Sequence, residues 1–317
     1  MKKYIIGGVG IVISGVLVYY ISRQVSFEDT WQNLNHITIW QLLLLMIVYL
    51  SSFIPRALRW KLMINNITEV PLKETFLALI AGFAGNNFIP ARGGELLRME
   101  IFSRRTKMAR ITSLTSVIAE KILDGLVLLL FLSLSIIFID SNLLDTIWLK
   151  NLLIMAGLVF IIAISVILII KFYKDQILKI LELHKSKQGI ELITGIVKKV
   201  LEALQFLSFD LNTFKVVILS IVIWQIESLV FILGIYFLDF QVPFIPVGVF
   251  VLAIVNFGIL VPSSPAYVGI FQGMAIISLS LFNISTELAL TLGIITHFAQ
   301  FFPVSFLGLI LLLNSVM

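Results

Sequence analysis

The feature that most constrains this chain is a series of apolar stretches, each about as long as a helix that crosses a bilayer. Such a helix needs roughly 20 mostly apolar residues. Six stretches approach or exceed that length: 4–22, 40–55, 111–139, 151–171, 214–238 and 288–314. Hydrophobic residues make up 59% of the chain and charged residues only 13%, whereas soluble domains carry about 25% charged residues. The sequence therefore predicts an all-α polytopic membrane protein and excludes an ordinary soluble enzyme.

The residue types that build most cofactor and metal sites are scarce. The chain has no cysteine and three histidines, so thiolate centres are excluded and a multi-histidine site is not expected. The formal net charge is +5, and in a membrane chain such an excess marks the cytoplasmic loops. We therefore expect no cofactor, no metal and no nucleic-acid partner.

Two further apolar stretches are short and interrupted. One covers 75–89 and stops at Pro90, Gly93 and Gly94, and the other covers 247–261 and stops at Pro262 and Pro265 before an apolar piece at 266–282. A helix of about 15 residues rises only about 22 Å, less than the roughly 30 Å hydrocarbon core. These stretches are therefore candidates for helices that enter the bilayer without crossing it.

The distribution of basic residues indicates how the short stretches sit. If the N-terminus is cytoplasmic and only the six long segments cross, twenty of the 23 lysines and arginines lie on the cytoplasmic side. The sequence thus predicts six spanning helices in the cell membrane, with both termini cytoplasmic. Residues 75–105 and 247–282 become two re-entrant broken-helix hairpins from opposite faces, an arrangement like the inverted repeats of transporters. Eight ordinary spans are the alternative.

The longest polar stretch, 174–210, is predicted to be a cytoplasmic connector. Ile193, Ile196, Val197, Val200 and Leu201 recur at helical spacing, and lysines occupy the other side. Such a basic amphipathic helix suits either an anionic membrane surface or packing on the bundle. We therefore interpret 1–317 as a single transporter-like transmembrane domain.

Polar residues interrupt the first hairpin where a ligand could bind. A half-helix that begins near Gly93 would present free backbone N–H groups and the positive end of its dipole, which suit an anion such as phosphate. A charge at this depth is energetically costly, so Arg92 is a candidate for a functional residue. Its guanidinium can hold phosphate with two hydrogen bonds. Glu95 could instead stabilise the helix start or pair with a neighbouring arginine, and Arg98 could extend to the cytoplasmic surface. The candidate substrate-binding residues here are Asn86, Asn87, Arg92, Gly93, Gly94, Glu95 and Arg98.

A second polar cluster, Glu120, Lys121 and Asp124, lies within the apolar run 111–139. Lys121 is three residues from Asp124 and could pair with it. The cluster is either a structural ion-pair network or a charge relay. Glu227 and His297, each alone in a predicted span, have the same two interpretations.

The second hairpin is interrupted by two prolines and two serines. Ser264 before Pro265 is a favourable helix start, with serine at the N-cap and proline at the first helical position. Ser263 and Ser264 are therefore candidate donors to phosphate oxygens, with an ordinary interhelical turn as the alternative. Arg56 and Arg59 follow the second span, where we expect topology signals at the cytoplasmic interface or head-group contacts.

Together the three interruptions resemble the lysylphosphatidylglycerol synthetase transmembrane-region family of flippase-like membrane proteins. The resemblance covers nearly the whole chain and lies in three motifs: Asn87-x-x-Pro90-x-Arg92-x-Gly94-Glu95-x-x-Arg98, Glu120-Lys121-x-x-Asp124 and Pro262-x-x-Pro265-x-x-x-Gly269. The chain departs from the family pattern at Lys121, usually Arg, at Ala266-Tyr267, usually Gly-Gly, and at Gln272, where the family carries Glu.

The resemblance implies translocation of an anionic or aminoacylated lipid, by a flippase or scramblase. Because little sequence follows the last apolar run, we expect the fused synthase activity of some members to be absent and the chain not to be an enzyme. The expected partners are membrane lipids with phosphate head groups, and the oligomeric state stays open, a homo-oligomer included. The alternatives are an ion-coupled solute transporter and a membrane enzyme for polyprenyl-phosphate substrates, with Glu28 and Asp29 as acid, base or metal ligands.

Overall fold

The computed structural model describes residues 2–65, 67–89, 93–139, 145–173, 175–176, 179, 194–198, 211–260 and 264–316. Within them every extended regular element is helical, and none is a strand. The principal helices are α1 Lys2–Gln24, α2 Phe27–Asn35, α3 Ile39–Ser51, α4 Phe53–Asn65, α5 Leu72–Phe88, α6 Gly93–Thr106, α7 Arg110–Ile139, α8 Ile147–Phe172, α9 Leu211–Phe237, α10 Phe244–Gly258, α11 Ile270–Ser280 and α12 Thr286–Val316. The chain is an all-α polytopic membrane protein, as predicted.

Four segments of the described chain are long and apolar enough to cross a bilayer: Ile39–Asn65, Arg110–Ile139, Leu211–Phe237 and Thr286–Leu311. Helices α1 and α8 cover the predicted runs 4–22 and 151–171. The second span is longer than the predicted 40–55, because α3 and α4 follow one another with only Ser52 between them. The arginines expected at its cytoplasmic end therefore lie within the span.

The first interrupted stretch forms a helical hairpin of α5 and α6, and α6 begins at the predicted Gly93. The two helices approach so closely that side chains would collide. An added Cβ at Gly94 would lie 2.0 Å from the carbonyl oxygen of Gly82, and one at Gly85 would lie 2.9 Å from the Cα of Gly94. Glycine at these positions is what allows the two backbones to pack directly.

The second interrupted stretch forms a hairpin of α10 and α11, but its returning helix begins later than predicted. Pro265–Tyr267 is a single 3₁₀ turn with Ser264 at its start, and the serine hydroxyl donates to the Val268 carbonyl instead of capping a helix. Ala266 and Tyr267 both have a φ of 60°, and Gly269 has 87°. Because these left-handed residues cannot continue a right-handed helix, α11 starts only at Ile270.

The two hairpins open toward opposite ends of the bundle. At one end, Val216 near the start of α9 packs with Met63 of α4. The adjacent Ile64 packs with Val70 and Met108, which flank the open end of the α5–α6 hairpin. At the other end of α9, the Tyr236 ring lies 5.9 Å from that of Phe244, where the second hairpin begins.

The open end of the first hairpin carries the exposed ion pairs expected at a membrane–water boundary. Glu100 binds Arg110 and Arg104, and Glu74 binds Arg105. Hydrogen bonds from Arg110 and Arg104 lower the pKa of the Glu100 carboxyl to about 2. The predicted connector 174–210 lies outside the described residues, apart from 175–176, 179 and 194–198, and stays a prediction.

The glycine contacts of the first hairpin lead to a stability prediction. Gly94→Ala should lower the free energy of unfolding by about 1–3 kcal/mol, because a methyl group would meet rigid backbone atoms. Gly157→Ala is the matched control, since nothing lies within 4 Å of its added Cβ. Equilibrium unfolding of both variants in the same detergent measures the difference, and equal stabilities would contradict direct backbone packing.

Candidate functional site

The tips of both hairpins dock on neighbouring turns of α12. The side-chain amide of Asn87 donates to the Ser305 hydroxyl at 2.7 Å and to the Phe301 carbonyl at 3.3 Å. One turn earlier, His297 Nε2 contacts the Ala266 carbonyl of the second hairpin at 2.7 Å. Four residues of helix rise only about 6 Å, and the Pro265–Tyr267 turn also packs against α5. The two interruptions therefore lie close together in the bundle.

A cavity of about 430 Å³ lies where the two hairpins meet, within the range of about 300–1,000 Å³ that is typical of small-ligand sites. Its polar lining comes from both hairpins and from α3, α4, α7, α9 and α12: Tyr49, Arg56, Asn86, Asn87, Glu95, Lys121, Asp124, Trp224, Glu227, Asn256, Tyr267, His297 and Gln300. Aromatic and aliphatic side chains complete the wall. The cavity is therefore mainly apolar, with charged and polar side chains at defined positions of its wall, and inside a membrane protein such side chains mark candidate binding sites.

Eight charged side chains in and behind this wall form what we call the ion-pair network: Arg56, Arg59, Glu95, Arg98, Glu120, Lys121, Asp124 and Glu227. It joins α4, α6, α7 and α9 and contains equal numbers of cations and carboxylates. Balanced pairing is what allows charges to be buried at all, since a lone buried ion costs several kcal/mol. The network consists of an inner layer away from the cavity and an outer layer along it.

The inner layer is fully buried. Arg98 binds both carboxylate oxygens of Glu120, at 3.1 and 2.7 Å, and Arg59 lies 3.2 Å from the same carboxylate. The Arg98 guanidinium also stacks 3.8 Å above the Trp60 ring, whose indole N–H donates to Ser116 at 3.0 Å. None of these charged groups lines the cavity, so the inner layer joins α4, α6 and α7 away from it.

The outer layer faces the cavity. Arg56 binds Glu227, and its guanidinium lies between the rings of Phe83 and Trp224, at 5.2 and 5.3 Å. Asp124 accepts from Arg59 at 2.6 Å and from the Trp224 indole at 3.0 Å.

Lys121 completes the outer layer on the side of the first hairpin. It pairs with Glu95 at 3.2 Å, and its ammonium lies 5.2 Å from the Phe83 ring. The Lys121 side chain is the most exposed of the network, at 34%. It is therefore the cation that a ligand reaches at least cost.

The positions that the sequence predicted for several arginines were wrong. Arg56 and Arg59 are not interfacial topology signals, because both are buried in the network, with 2% and 0% exposure. Arg98 does not extend to the surface and binds Glu120 instead. The reason is that carboxylates from α7 and α9 reach these arginines in the bundle interior.

The neighbour pairings expected along the sequence also differ. Lys121 pairs with Glu95 of α6 and not with Asp124, which is taken by the arginines of α4. Glu95 consequently pairs with a lysine, while Arg98 binds Glu120. Asn256 lines the cavity, and its side chain donates within its own helix to Leu252.

The strained turn of the second hairpin is fixed by His297 and Gln272. Because the Ala266 carbonyl can only accept, His297 donates through Nε2, and its Nδ1 accepts from the Gln272 amide at 2.9 Å. The Gln272 carbonyl accepts from the Gly269 N–H at 2.9 Å, and the imidazole stacks on Phe271. An amide serves both neighbours here, whereas a carboxylate could only accept.

The remaining predicted site residues divide between described and undescribed parts of the chain. Arg92 and Ser263 lie outside the described residues, so their roles stay predictions. Ser264 lies at the second interruption, where its N–H donates to the Ser14 hydroxyl of α1 at 2.9 Å. The acidic pair Glu28 and Asp29 occupies the exposed first turn of α2, where carboxylates stabilise a helix start.

Sequence reasoning missed three polar residues of the cavity wall: Tyr49, Trp224 and Gln300. They gave no signal, because a single tyrosine, tryptophan or glutamine in an apolar helix is common. The buried Nε2 of Gln300 and the buried Oδ1 of Asn86 have no hydrogen-bond partner among the described residues, which is the usual sign of a ligand or water. No group of three potential metal ligands occurs in the described part of the chain.

These features define a helical membrane protein with an ion-paired cavity between two broken hairpins. Residues 8–308 match the family described as the lysylphosphatidylglycerol synthase TM region. The chain therefore belongs to this family and is a lipid-related multi-pass membrane protein. A comparison with curated proteins found no match.

The inner layer provides a direct test of the network. Arg98→Met should lower the free energy of unfolding by about 3–5 kcal/mol, because Glu120 loses its bidentate partner inside the bundle. Arg104→Met, on the same helix with its side chain 74% exposed, should change it by less than about 0.5 kcal/mol. Unfolding in mixed micelles measures both, and comparable losses would show that the buried pair has no special role.

Proposed function

We propose that this protein moves a phosphate-bearing lipid head group across the membrane, as a flippase or scramblase. The observation that carries the proposal is the cavity between the two hairpin tips, because its wall offers two cations and the unpaired Gln300 amide donor at the level where both helices are broken. The lipid tails would stay in the bilayer while the head group passes through the cavity. Membership of a family named for a lipid synthase supports a lipid substrate.

Cations along the cavity supply the attraction for a phosphate. Lys121 and Arg56 both line the cavity, and charge-assisted hydrogen bonds to phosphate are about twice as strong as neutral ones. The Gln300 amide is a further donor without a protein partner. Arg92 precedes the first residue of α6, so the sequence leads us to expect a further cation near the same helix start.

The two broken hairpins also fit alternating access. They open toward opposite ends of the bundle and meet on adjacent turns of α12. Small relative movements of such paired elements could expose the cavity first to one end and then to the other. The proposal treats the chain as a transporter without a catalytic reaction, in the cytoplasmic membrane with both termini inside.

Lys121 gives the sharpest functional variant. Lys121→Gln should slow head-group translocation about 10- to 100-fold, the loss expected for one charged hydrogen bond of about 1.5–3 kcal/mol. Fluorescent phosphatidylglycerol in reconstituted vesicles, with chemical quenching of the outer leaflet, measures the rate. Lys150→Gln is the control, because Lys150 is exposed and does not line the cavity. Unchanged movement in the folded Lys121 variant would contradict the proposal.

Arg92→Ala should abolish translocation in the same vesicles while the protein remains folded, if Arg92 holds the phosphate as its motif predicts. Size-exclusion behaviour and thermal unfolding report folding. Full activity in this variant would remove Arg92 from the phosphate site and leave the cations of the described wall.

A further inference from the structure

Glu227 differs from Glu120 and Asp124 of the ion-pair network in the number of cations that neutralise it. Glu120 contacts both Arg98 and Arg59, and Asp124 contacts Arg59 at 2.6 Å, with Arg56 at 3.9 Å. Among the described residues, Glu227 forms an ion pair with Arg56 alone, and its further hydrogen bond comes from the Ser52 hydroxyl at 3.2 Å. The negative charge of the buried Glu227 carboxylate is therefore neutralised by a single arginine.

That arginine belongs to the cavity wall. Arg56 gives its Nε and Nη2 donors to Glu227, whereas its Nη1 lies 3.9 Å from Asp124, too far for a hydrogen bond. Both Arg56 and Glu227 line the cavity. A phosphate that enters the cavity and binds the Arg56 guanidinium consequently competes with Glu227 for the same donors.

A phosphate that takes Arg56 leaves Glu227 as a buried carboxylate without a cation. The residue is 4% exposed, and an ionised carboxylate without its cation is strongly unfavourable in such surroundings. Protonation removes the charge, and the neutral acid can still hydrogen-bond to its neighbours. Occupancy of Arg56 by an anion and uptake of a proton by Glu227 are thus thermodynamically linked.

We infer that Glu227 is a proton carrier. Binding of one anionic head group at Arg56 is coupled to the uptake of about one proton by Glu227. The proton is taken up from the buffered aqueous phase and bonds to a Glu227 carboxylate oxygen as the phosphate takes its place on Arg56. On release of the head group the ion pair re-forms, and the proton returns to water. A phosphodiester monoanion and a proton then move together without net charge. The inference rests on the proposed function.

The other charged or titratable groups near Glu227 are less suited to this exchange. Asp124 of α7 keeps Arg59 when Arg56 is occupied, and Tyr49 of α3 carries no charge to be released. Elsewhere on the cavity wall, the Glu95 side chain is 17% exposed against 5% for Glu227, and it keeps a hydrogen bond from the Asn86 amide when Lys121 is occupied, so its charge is less costly. Both ring nitrogens of His297 are already hydrogen-bonded. Tyr267 is the remaining titratable group of the wall, and like Tyr49 it is neutral.

Calorimetric titration of the purified protein with dihexanoylphosphatidylglycerol tests the linkage. The phosphodiester itself does not titrate near neutral pH, so heats measured in buffers of different ionisation enthalpy report protons taken up by the protein. We expect about one proton per lipid bound in the unaltered protein. In Glu227→Gln we expect binding with proton uptake near zero, because an amide cannot take the proton.

Glu100→Gln is the matched control, since it removes a carboxylate from an exposed ion-pair cluster outside the cavity. It should keep an uptake of about one proton. Two results overturn the inference. One is lipid binding without proton uptake in the unaltered protein, a result that does not depend on whether Glu227→Gln folds. The other is unchanged proton uptake in a folded Glu227→Gln variant. Absence of lipid binding overturns both the inference and the proposed function. Binding with no proton uptake leaves the proposed function standing.

Discussion

The structure depends on one constraint: charges inside an apolar bundle must be neutralised by charges from other helices. Arg56 and Arg59 of α4 meet carboxylates of α7 and α9, and Arg98 of α6 meets α7. Each pair is stable only while both helices keep their positions, because separation would leave a buried ion without a partner. The network therefore fixes the helices around the cavity while it provides charges that a ligand can use.

The division of the network into two layers separates these tasks. The inner layer around Glu120 is sealed from the cavity and stacked on Trp60, so it holds α4, α6 and α7 together. The outer layer contains Lys121, which is partly exposed, and Arg56, which depends on a single close carboxylate. Arg59 connects the two layers, because it contacts Glu120 of the inner layer and Asp124 of the outer one.

Helix α12 relates the two hairpins to each other. It receives the tip of the first hairpin through Asn87, at Phe301 and Ser305, and the tip of the second at His297, one to two turns earlier. The second tip also contains consecutive residues with positive φ, held by the Gln272 and His297 hydrogen bonds. The position of the cavity is thus determined by a few polar contacts along one helix, and movement of either hairpin relative to α12 would change its shape.

Much of this fold could be predicted from the sequence, because long apolar runs and their interruption by proline and glycine are local signals. The hairpin breaks and the start of α6 at Gly93 were predicted correctly. The partners in the network could not be, since they are distant in the chain: Arg56 and Glu227 are 171 residues apart. The late start of α11 was missed for another reason, because Ser264-Pro265 favours a helix start, but the left-handed Ala266 and Tyr267 prevent a helix there.

The central claim is that a phosphate-bearing head group binds in the cavity between the hairpin tips. A density map of the protein in lipid nanodiscs that contain phosphatidylglycerol tests it most directly. We predict phosphate density in the cavity within hydrogen-bonding distance of Lys121 Nζ or the Arg56 guanidinium. Lipid density confined to the outer surface of the bundle, with the cavity occupied by water alone at high lipid content, would contradict it.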